Sequence, residues 1–358
     1  MNENDGMNYI PKDKPKPVVA PGEFVFAAIA LNHGHIYGMC NSLVNAGATL
    51  KSVYDPDPKK IETFLKQFPN THVAASEQEI LSDPEVKLVA AAAITNLRCP
   101  LGLRVMDAGK DYFTDKAPFT TLEQLESAKA KVRETGKKYM VCYSERLQVE
   151  GAIFAGNLIK QGAIGRVLQV IGLGPHRLSK DSRPDWFFNH EEYGGILCDI
   201  GSHQIEQYLF FAGEEDATVV NSKVANYENA DKPELEDFGD CTLIGKNGST
   251  NYFRVDWFTP SGLRTWGDGR TIILGTEGYI EIRKYVDVAT DKKGGNHVYL
   301  VNKDGEKYFN VSGKIGYPFF GEFILDCINR TENAMTQAHA FKAAELCLIA
   351  QKQAVRIQ

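Results

Sequence analysis

Residues 24–55 read FVFAAIALNHGHIYGMCNSLVNAGATLKSVYD, and this stretch decides the architecture. Residues 24–31 form an uninterrupted apolar run, the pattern of a buried strand. Ile36, Met39, Cys40, Leu43 and Val44 then recur at helical spacing, and residues 48–54 return to a strand that ends on Asp55. Strand, helix and strand in this order make a βαβ unit. The alternation continues with strands at 86–94, 111–114 and 138–143 and a helix running from about Thr121 to Gly136. A doubly wound parallel sheet with helices packed on it is expected over residues 23–147.

Beyond a helix at 150–161 the texture changes. Longer alternating strands with glycine turns follow at 167–174, 241–246, 250–258 and 271–283, and helices are expected at 319–329 and 338–355. The fold class is therefore α/β for the first domain, followed by an α+β domain over residues 148–358 with a mostly antiparallel open sheet. The last helix of that domain is a candidate to return to the first. Residues 1–22, with Pro11, Pro15, Pro17 and Pro21, read as an extended arm, either disordered or laid across a partner subunit.

Composition excludes several functions. The 358 residues carry a net charge of -6, with lysines and arginines scattered, which argues against a nucleic-acid or anionic-membrane surface. Seven cysteines, an odd number without a C-x-x-C pair, suggest reduced buried thiols rather than disulfides or structural zinc. Neither a secretory h-region nor a membrane-spanning apolar run is found, so a cytoplasmic protein is expected.

An acid at the end of the second strand of a βαβ unit suits a dinucleotide: Asp55 lies 21 residues past Gly34, where a carboxylate accepts ribose hydroxyls and repels a 2′-phosphate. That favours NAD over NADP, although Lys59 and Lys60 count the other way. The turn itself departs from G-x-G-x-x-G, since Ala30 replaces the first glycine. Asn32, His33, Gly34, His35 and Ile36 are the candidate cofactor contacts there, with amides at the helix start aimed at the pyrophosphate. A polar turn is the competing reading for each histidine.

The best evidence for chemistry is residues 194–206, GGILCDIGSHQIE, which place Asp199 and His203 four residues apart at the mouth of a helix. If residues 201–212 are helical, Ile205, Tyr208, Leu209 and Ala212 form the buried stripe. Asp199, His203, Glu206 and Gln207 then share the opposite face, away from the core. A paired acid and imidazole suits proton transfer near neutral pH. Against this, Asp199 reads as a helix cap and His203 as a structural histidine.

From about residue 23 the chain resembles the glucose-fructose oxidoreductase / inositol 2-dehydrogenase family (Gfo/Idh/MocA). Three features in order carry the resemblance: the unit ending at Asp55, the run AGKDYFTDKAP at 108–118, and the segment from Gly194 to His203. The resemblance implies a Rossmann first domain, NAD as cofactor, and a Lys116 that bridges nicotinamide and the reacting hydroxyl. Asp115 stands where the family has glutamate, and Ala117 displaces its proline to Pro118, which leaves the aim of Lys116 open. Asp199 and His203 align with the family's D-x-G-x-H pair, which contacts substrate and moves its proton. Thr95 and Asn96 resemble its T-P-N turn beside the cofactor, and residues 275–278 a recurrent structural turn. The HGHIYGM loop and residues 331–335 further resemble a branch of glucoside 3-dehydrogenases, some acting on plant C-glucosides in gut bacteria.

The expected activity is thus oxidation of a secondary alcohol on a sugar or glucoside, at C3, by hydride transfer to NAD, with Lys116, Asp199 and His203 at the site. Substrate contacts are expected from His176 first, then Arg177, Arg183, Asp185, Trp186, Asn189 and Tyr193, with Trp257 and Trp266. For any one aromatic, closing the core is the competing reading. Three alternatives stay open: a redox-neutral glycosidase working through a 3-keto sugar, a divalent metal held by His176, Asp199 and His203, and a non-catalytic nucleotide-binding regulator. An exposed sheet face, as in relatives, implies a homo-oligomer.

Overall fold

The computed structural model describes residues 16–290 and 295–357, so most of the proline-rich arm lies outside the described residues. The chain begins β1 (Val25–Ile29), α1 (His35–Asn45), β2 (Thr49–Tyr54), α2 (Pro58–Gln67), β3 (His72–Val73), α3 (Glu77–Ser82), β4 (Val86–Ala91), α4 (Thr95–Asp107), β5 (Asp111–Asp115), α5 (Leu122–Thr135) and β6 (Tyr139–Cys142). The strands pair in parallel in the order β3-β2-β1-β4-β5-β6. Connections leave β1 in one direction and β4 in the other, which opens a crevice at the carboxyl ends of these two strands. Helices packed on this sheet leave β4, β5 and β6 almost wholly buried; β6 reads as a continuous apolar run, β4 is apolar apart from Lys87, and β5 carries Asp111, Thr114 and Asp115 inward. The α5 boundaries follow the capping residues: the Thr121 side chain accepts the Gln124 N–H, and Gly136 closes the helix at φ 63°.

The chain continues with α6 (Ser144–Leu147), α7 (Glu150–Lys160), β7 (Val167–Pro175), α8 (His190–Tyr193), α9 (Ile196–Asp199), α10 (Gly201–Ala212), β8 (Ala217–Ala225), β9 (Phe238–Gly245), β10 (Thr250–Asp256), β11 (Arg270–Gly275), β12 (Gly278–Arg283), β13 (His297–Asn302) and β14 (Gly305–Asn310). It ends with α11 (Pro318–Asn329), α12 (Gln337–Lys352) and β15 (Val355–Ile357). Nine strands form one sheet in the order β14-β13-β12-β11-β7-β10-β9-β8-β15. Its pairs are antiparallel except β7 with β10 and β8 with β15. Helices α7, α9 and α10 cover one face. The other leaves Val220, Ile244, Tyr252, Ile272, Leu274 and Tyr279 exposed.

Three expectations change. The stretch 271–283 is two strands folded at Gly275–Gly278, where Thr276 and Glu277 amides donate to Arg166 and Ile164 carbonyls. Val355 starts a strand rather than ending a helix, because β8 offers it an open edge. Strands β3, β8, β13 and β14 were not foreseen: β3 has only two residues, β8 breaks its alternation at an irregularity between Val219 and Asn221, and β14 is mostly polar.

By contacts, the described residues up to Cys142 together with Tyr317–Phe341 form one compact unit, and Tyr143–Gly316 with the described part of Lys342–Gln358 form another. Among the described residues no helix is long and apolar enough to cross a membrane. All seven cysteines are free and buried.

Candidate functional site

In the first unit the turn after β1 is fastened from both sides. The His33 amide donates to the Ala92 carbonyl and the Ala92 amide to the Ala30 carbonyl, tying it to the end of β4. Ala30, the residue in place of the first glycine, takes the left-handed conformation at φ 61°, one that glycine adopts without the Cβ penalty. Asp55 is buried at the end of β2, where its carboxylate accepts the amides of Leu31 (2.7 Å) and Asp57 (2.9 Å) and the Lys60 ammonium stands 3.7 Å away. It therefore organises the turn, whatever it holds besides.

This unit fits a dinucleotide. Helix α1 starts at His35, after Gly34, with no acid in its first turn; the His35 amide donates to His33 Nδ1 at 3.2 Å, and the positive end of the helix dipole favours a phosphate there. Thr95 and Asn96 begin α4, where Asn96 Oδ1 is a buried acceptor without a hydrogen bond among the described residues. Asn32 is half-buried in the turn itself.

Asp115, fully buried at the end of β5, holds the next segment. His35 Nδ1 lies 2.9 Å and His33 Nδ1 3.2 Å from its carboxylate, Arg98 Nη2 3.3 Å, and the Lys116 amide donates to it at 2.8 Å. Burial alone would raise this carboxyl, but His35, Arg98 and His33 hold it well below its ordinary range. His33 is pushed well below the usual imidazole value by burial first and by neighbouring His35, despite Asp115, and so stays neutral. Arg98 also grips the backbone, donating to the carbonyls of Ala93, Lys116 and Ala117. The buried Lys116 thus leaves a segment tied down at three consecutive residues, and the Lys116–Ala117 peptide is cis. Arg98 was missed in the sequence because nothing local marks it; its partners lie 17 to 19 residues on.

In the second unit α10 begins at Gly201 as expected, but its polar face does not look outward. His203, Glu206 and Gln207 are all buried, Asp199 is half-buried and Ala212 is partly exposed. The reason is α6, which supplies polar partners: Arg146 Nε meets Glu206 at 2.6 Å, and Gln204 Nε2 lies 3.3 Å from Glu145. Gly172 and Gly174 on β7 make the room, since a Cβ there would come within 2.2 and 2.8 Å of the Gln204 amide.

Glu145 centres this region. Lys284 Nζ lies 2.6 Å from one carboxylate oxygen and His176 Nε2 3.5 Å from the other. Burial pushes its carboxyl up, yet the charges of Lys284, His203 and His176 outweigh that and hold it well below the glutamate range. Neither Glu145 nor Lys284 was a sequence candidate; the two are 139 residues apart.

His176 follows β7, and its ring meets Trp257 and Trp266 at steep angles, centroids 5.5 and 4.4 Å away. Arg183 stacks over Phe187 and Trp257. The Arg177 guanidinium is taken up by the carbonyls of Pro260, Leu263 and Thr265. Tyr193 is buried, its hydroxyl donating to the Glu234 carbonyl and accepting the Glu236 amide. Asp185 is exposed and Trp186 half-buried in a 3-10 turn, and Asn189 caps α8. His176, Asp199 and His203 do not form a metal-ligand triad; among the described residues the group with that geometry is His33, His35 and Asp115, where Arg98 already neutralises the carboxylate. In the first unit, residues 331–335 are a turn folded onto the Asp326 carboxylate.

Comparison with known proteins bears on both units. Residues 32–143 match the oxidoreductase family with an NAD-binding Rossmann fold, and residues 154–281 match the GFO/IDH/MocA C-terminal domain. An oxidoreductase structure from Erwinia carotovora atroseptica SCRI1043 is 52% identical, covers 94% of this chain and 100% of that one, and superposes with a TM-score of 0.91. The scyllo-inositol 2-dehydrogenase (NAD(+)) of Bacillus subtilis (strain 168) is 26% identical over 66% of each chain. A D-xylose dehydrogenase of Paenarthrobacter nicotinovorans is 29% identical over 35% of this chain and 33% of its own. The matches thus span less than two thirds of these curated relatives. Levoglucosan dehydrogenase in complex with NADH and levoglucosan shares the fold at 17% identity, with a TM-score of 0.76 over 92% of this chain and 98% of that one. The chain belongs to the Gfo/Idh/MocA family and is an NAD-binding oxidoreductase.

Proposed function

We propose that the protein oxidises a secondary hydroxyl, at C3, of a sugar or glucoside. The observation that carries this reading is a buried His203, with Asp199 four residues before it, on a helix whose next residue, Gln204, meets the buried Glu145–Lys284 pair: acid–base equipment placed in a fold whose other unit fits a dinucleotide. The names of the matched inositol and xylose dehydrogenases support a polyol or sugar substrate.

NAD, when bound, supplies the hydride acceptor. His203 takes the hydroxyl proton as general base, Asp199 orients the same hydroxyl, and the Lys116 ammonium stabilises the developing alkoxide, an effect worth about 3 to 4 kcal/mol in a dry site. His176, Trp257, Trp266 and Arg183 receive the sugar, apolar ring faces against its C–H surface.

Purified protein is denatured and the released nucleotide identified by mass spectrometry; the holoenzyme is then offered sugars, polyols and glycosides with NMR detection of ketosugars. NAD and a 3-oxo product are expected. Aglycone release without net NADH would replace the dehydrogenase by a redox-neutral glycosidase. Lys116→Ala and His203→Ala are each expected to lower turnover by about 10²- to 10⁴-fold with circular dichroism unchanged. Unchanged turnover in both would overturn the assignment.

The exposed apolar face of the nine-stranded sheet is proposed to bury itself against a second copy. Light scattering should report an oligomer, and Ile272→Lys with Leu274→Lys should dissociate it.

A further inference from the structure

His176 sits between two acceptors. Its Nδ1 lies 3.1 Å from the Gly174 carbonyl oxygen, which only accepts, so that nitrogen carries hydrogen. In a neutral ring Nε2 would then be the lone-pair nitrogen, held 3.5 Å from a Glu145 carboxylate oxygen in a buried setting. Lone pair against anion is repulsive there; a hydrogen on Nε2 makes the same contact attractive. Trp266 and Trp257 lie at steep angles to the ring, with centroids 4.4 and 5.5 Å away, and help to keep it out of water.

We propose that Glu145 holds His176 doubly protonated at neutral pH, making it a fixed imidazolium beside Trp257 and Trp266 that acts on the base His203 through the charge around Glu145. The groups around it pull in both directions. Glu145, from α6, favours the cation; Lys284, after β12, and Arg183, over the Trp257 ring, oppose it, and His203 of α10 is a further imidazole felt by the same Glu145 carboxylate. Asp256 gives its backbone carbonyl to the His176 amide, and Tyr285 lies tilted against Trp266, ring centroids 4.6 Å apart. With Lys284 and His176 both positive around one carboxylate, a third positive charge is disfavoured, which keeps His203 neutral and able to accept a proton. This last consequence rests on the function proposed above; the charge of His176 does not.

The test is a long-range proton–nitrogen spectrum of the full-length protein with ¹⁵N-labelled histidine, His176 being assigned by its loss in His176→Asn. Both ring nitrogens of His176 should show the protonated signature at pH 7, with a midpoint at least about one unit above the ordinary imidazole value of about 6.5. Glu145→Gln should lower that midpoint by at least about one unit and Glu145→Asp should restore it. A single-lone-pair signature in the wild-type protein at pH 7 overturns the proposal, even if Glu145→Gln fails to fold. In the pH profile of kcat/KM, His176→Asn should move the acid limb upward by about half a unit or more. An unmoved limb beside a doubly protonated wild-type His176 overturns His203 as the base and leaves the imidazolium standing.

Discussion

Two buried carboxylates, one in each unit, invite comparison. Asp115 and Glu145 are both almost fully buried, and each faces one permanent cation and two imidazoles: Arg98, His33 and His35 around the first, and Lys284, His176 and His203 around the second. They differ in what else is bonded. Asp115 also takes the Lys116 backbone amide, and its arginine spends three further contacts on backbone carbonyls. Around Glu145 the contacts described are with side chains, Lys284, Gln204 and His176. The first cluster fixes the path of the chain, whereas the second sets charge. The comparison teaches that a buried ion pair becomes scaffold or proton control according to whether its spare valences go to the backbone.

The sharpest way to break the comparison is Arg98→Met. It strands Asp115 without its permanent cation and frees three carbonyls, so a loss of about 3 to 5 kcal/mol is expected in urea denaturation, with nucleotide affinity falling too. Lys284→Met should cost less, about 3 kcal/mol, because His176 still faces the carboxylate and no backbone group is orphaned. Equal losses would erase the distinction between the clusters.

The linked pH dependences sharpen it further. His33 has its folded value lowered below the unfolded value, chiefly by burial, so between that folded value and about 6.5 the unfolded chain binds the extra proton. Stability is therefore full above about pH 6.5 and falls as pH drops, by at most about 1.4 kcal/mol per unit from this group. His33→Asn should flatten that slope, as read from urea midpoints at pH 5 to 7. Glu145, also lowered, contributes stability present above the ordinary glutamate range and lost only as pH falls below it. The smallest expected effect is at Ala30: replacement by glycine removes the cost of a left-handed alanine but adds unfolded-state entropy, for a net gain of about 0.5 kcal/mol.

Much of this was legible residue by residue. The apolar run of β1, the helical stripe of α1 and the acid closing β2 announced the first unit, and Thr121 and Gly136 bounded α5 where capping chemistry put them. The face of α10 was misread because periodicity separates apolar from polar positions without saying what a polar face meets. Glu206 is buried by Arg146, sixty residues away, as is Gln204 by Glu145. Arg98, Glu145 and Lys284 carried no local mark for the same reason, and among the substrate candidates Arg177 and Tyr193 turned out to have guanidinium and hydroxyl engaged by backbone.

By itself the sequence determined what depends on near neighbours: strand and helix periods, caps, the βαβ order, and the dinucleotide character of the first unit. Tertiary structure alone decided which buried charges meet, and so which carboxylate braces the backbone and which imidazole stays neutral. The physical reason is range. Secondary structure is set by contacts a few residues apart, whereas the protonation of a buried group is set by desolvation and by charges that only folding brings within a few ångströms.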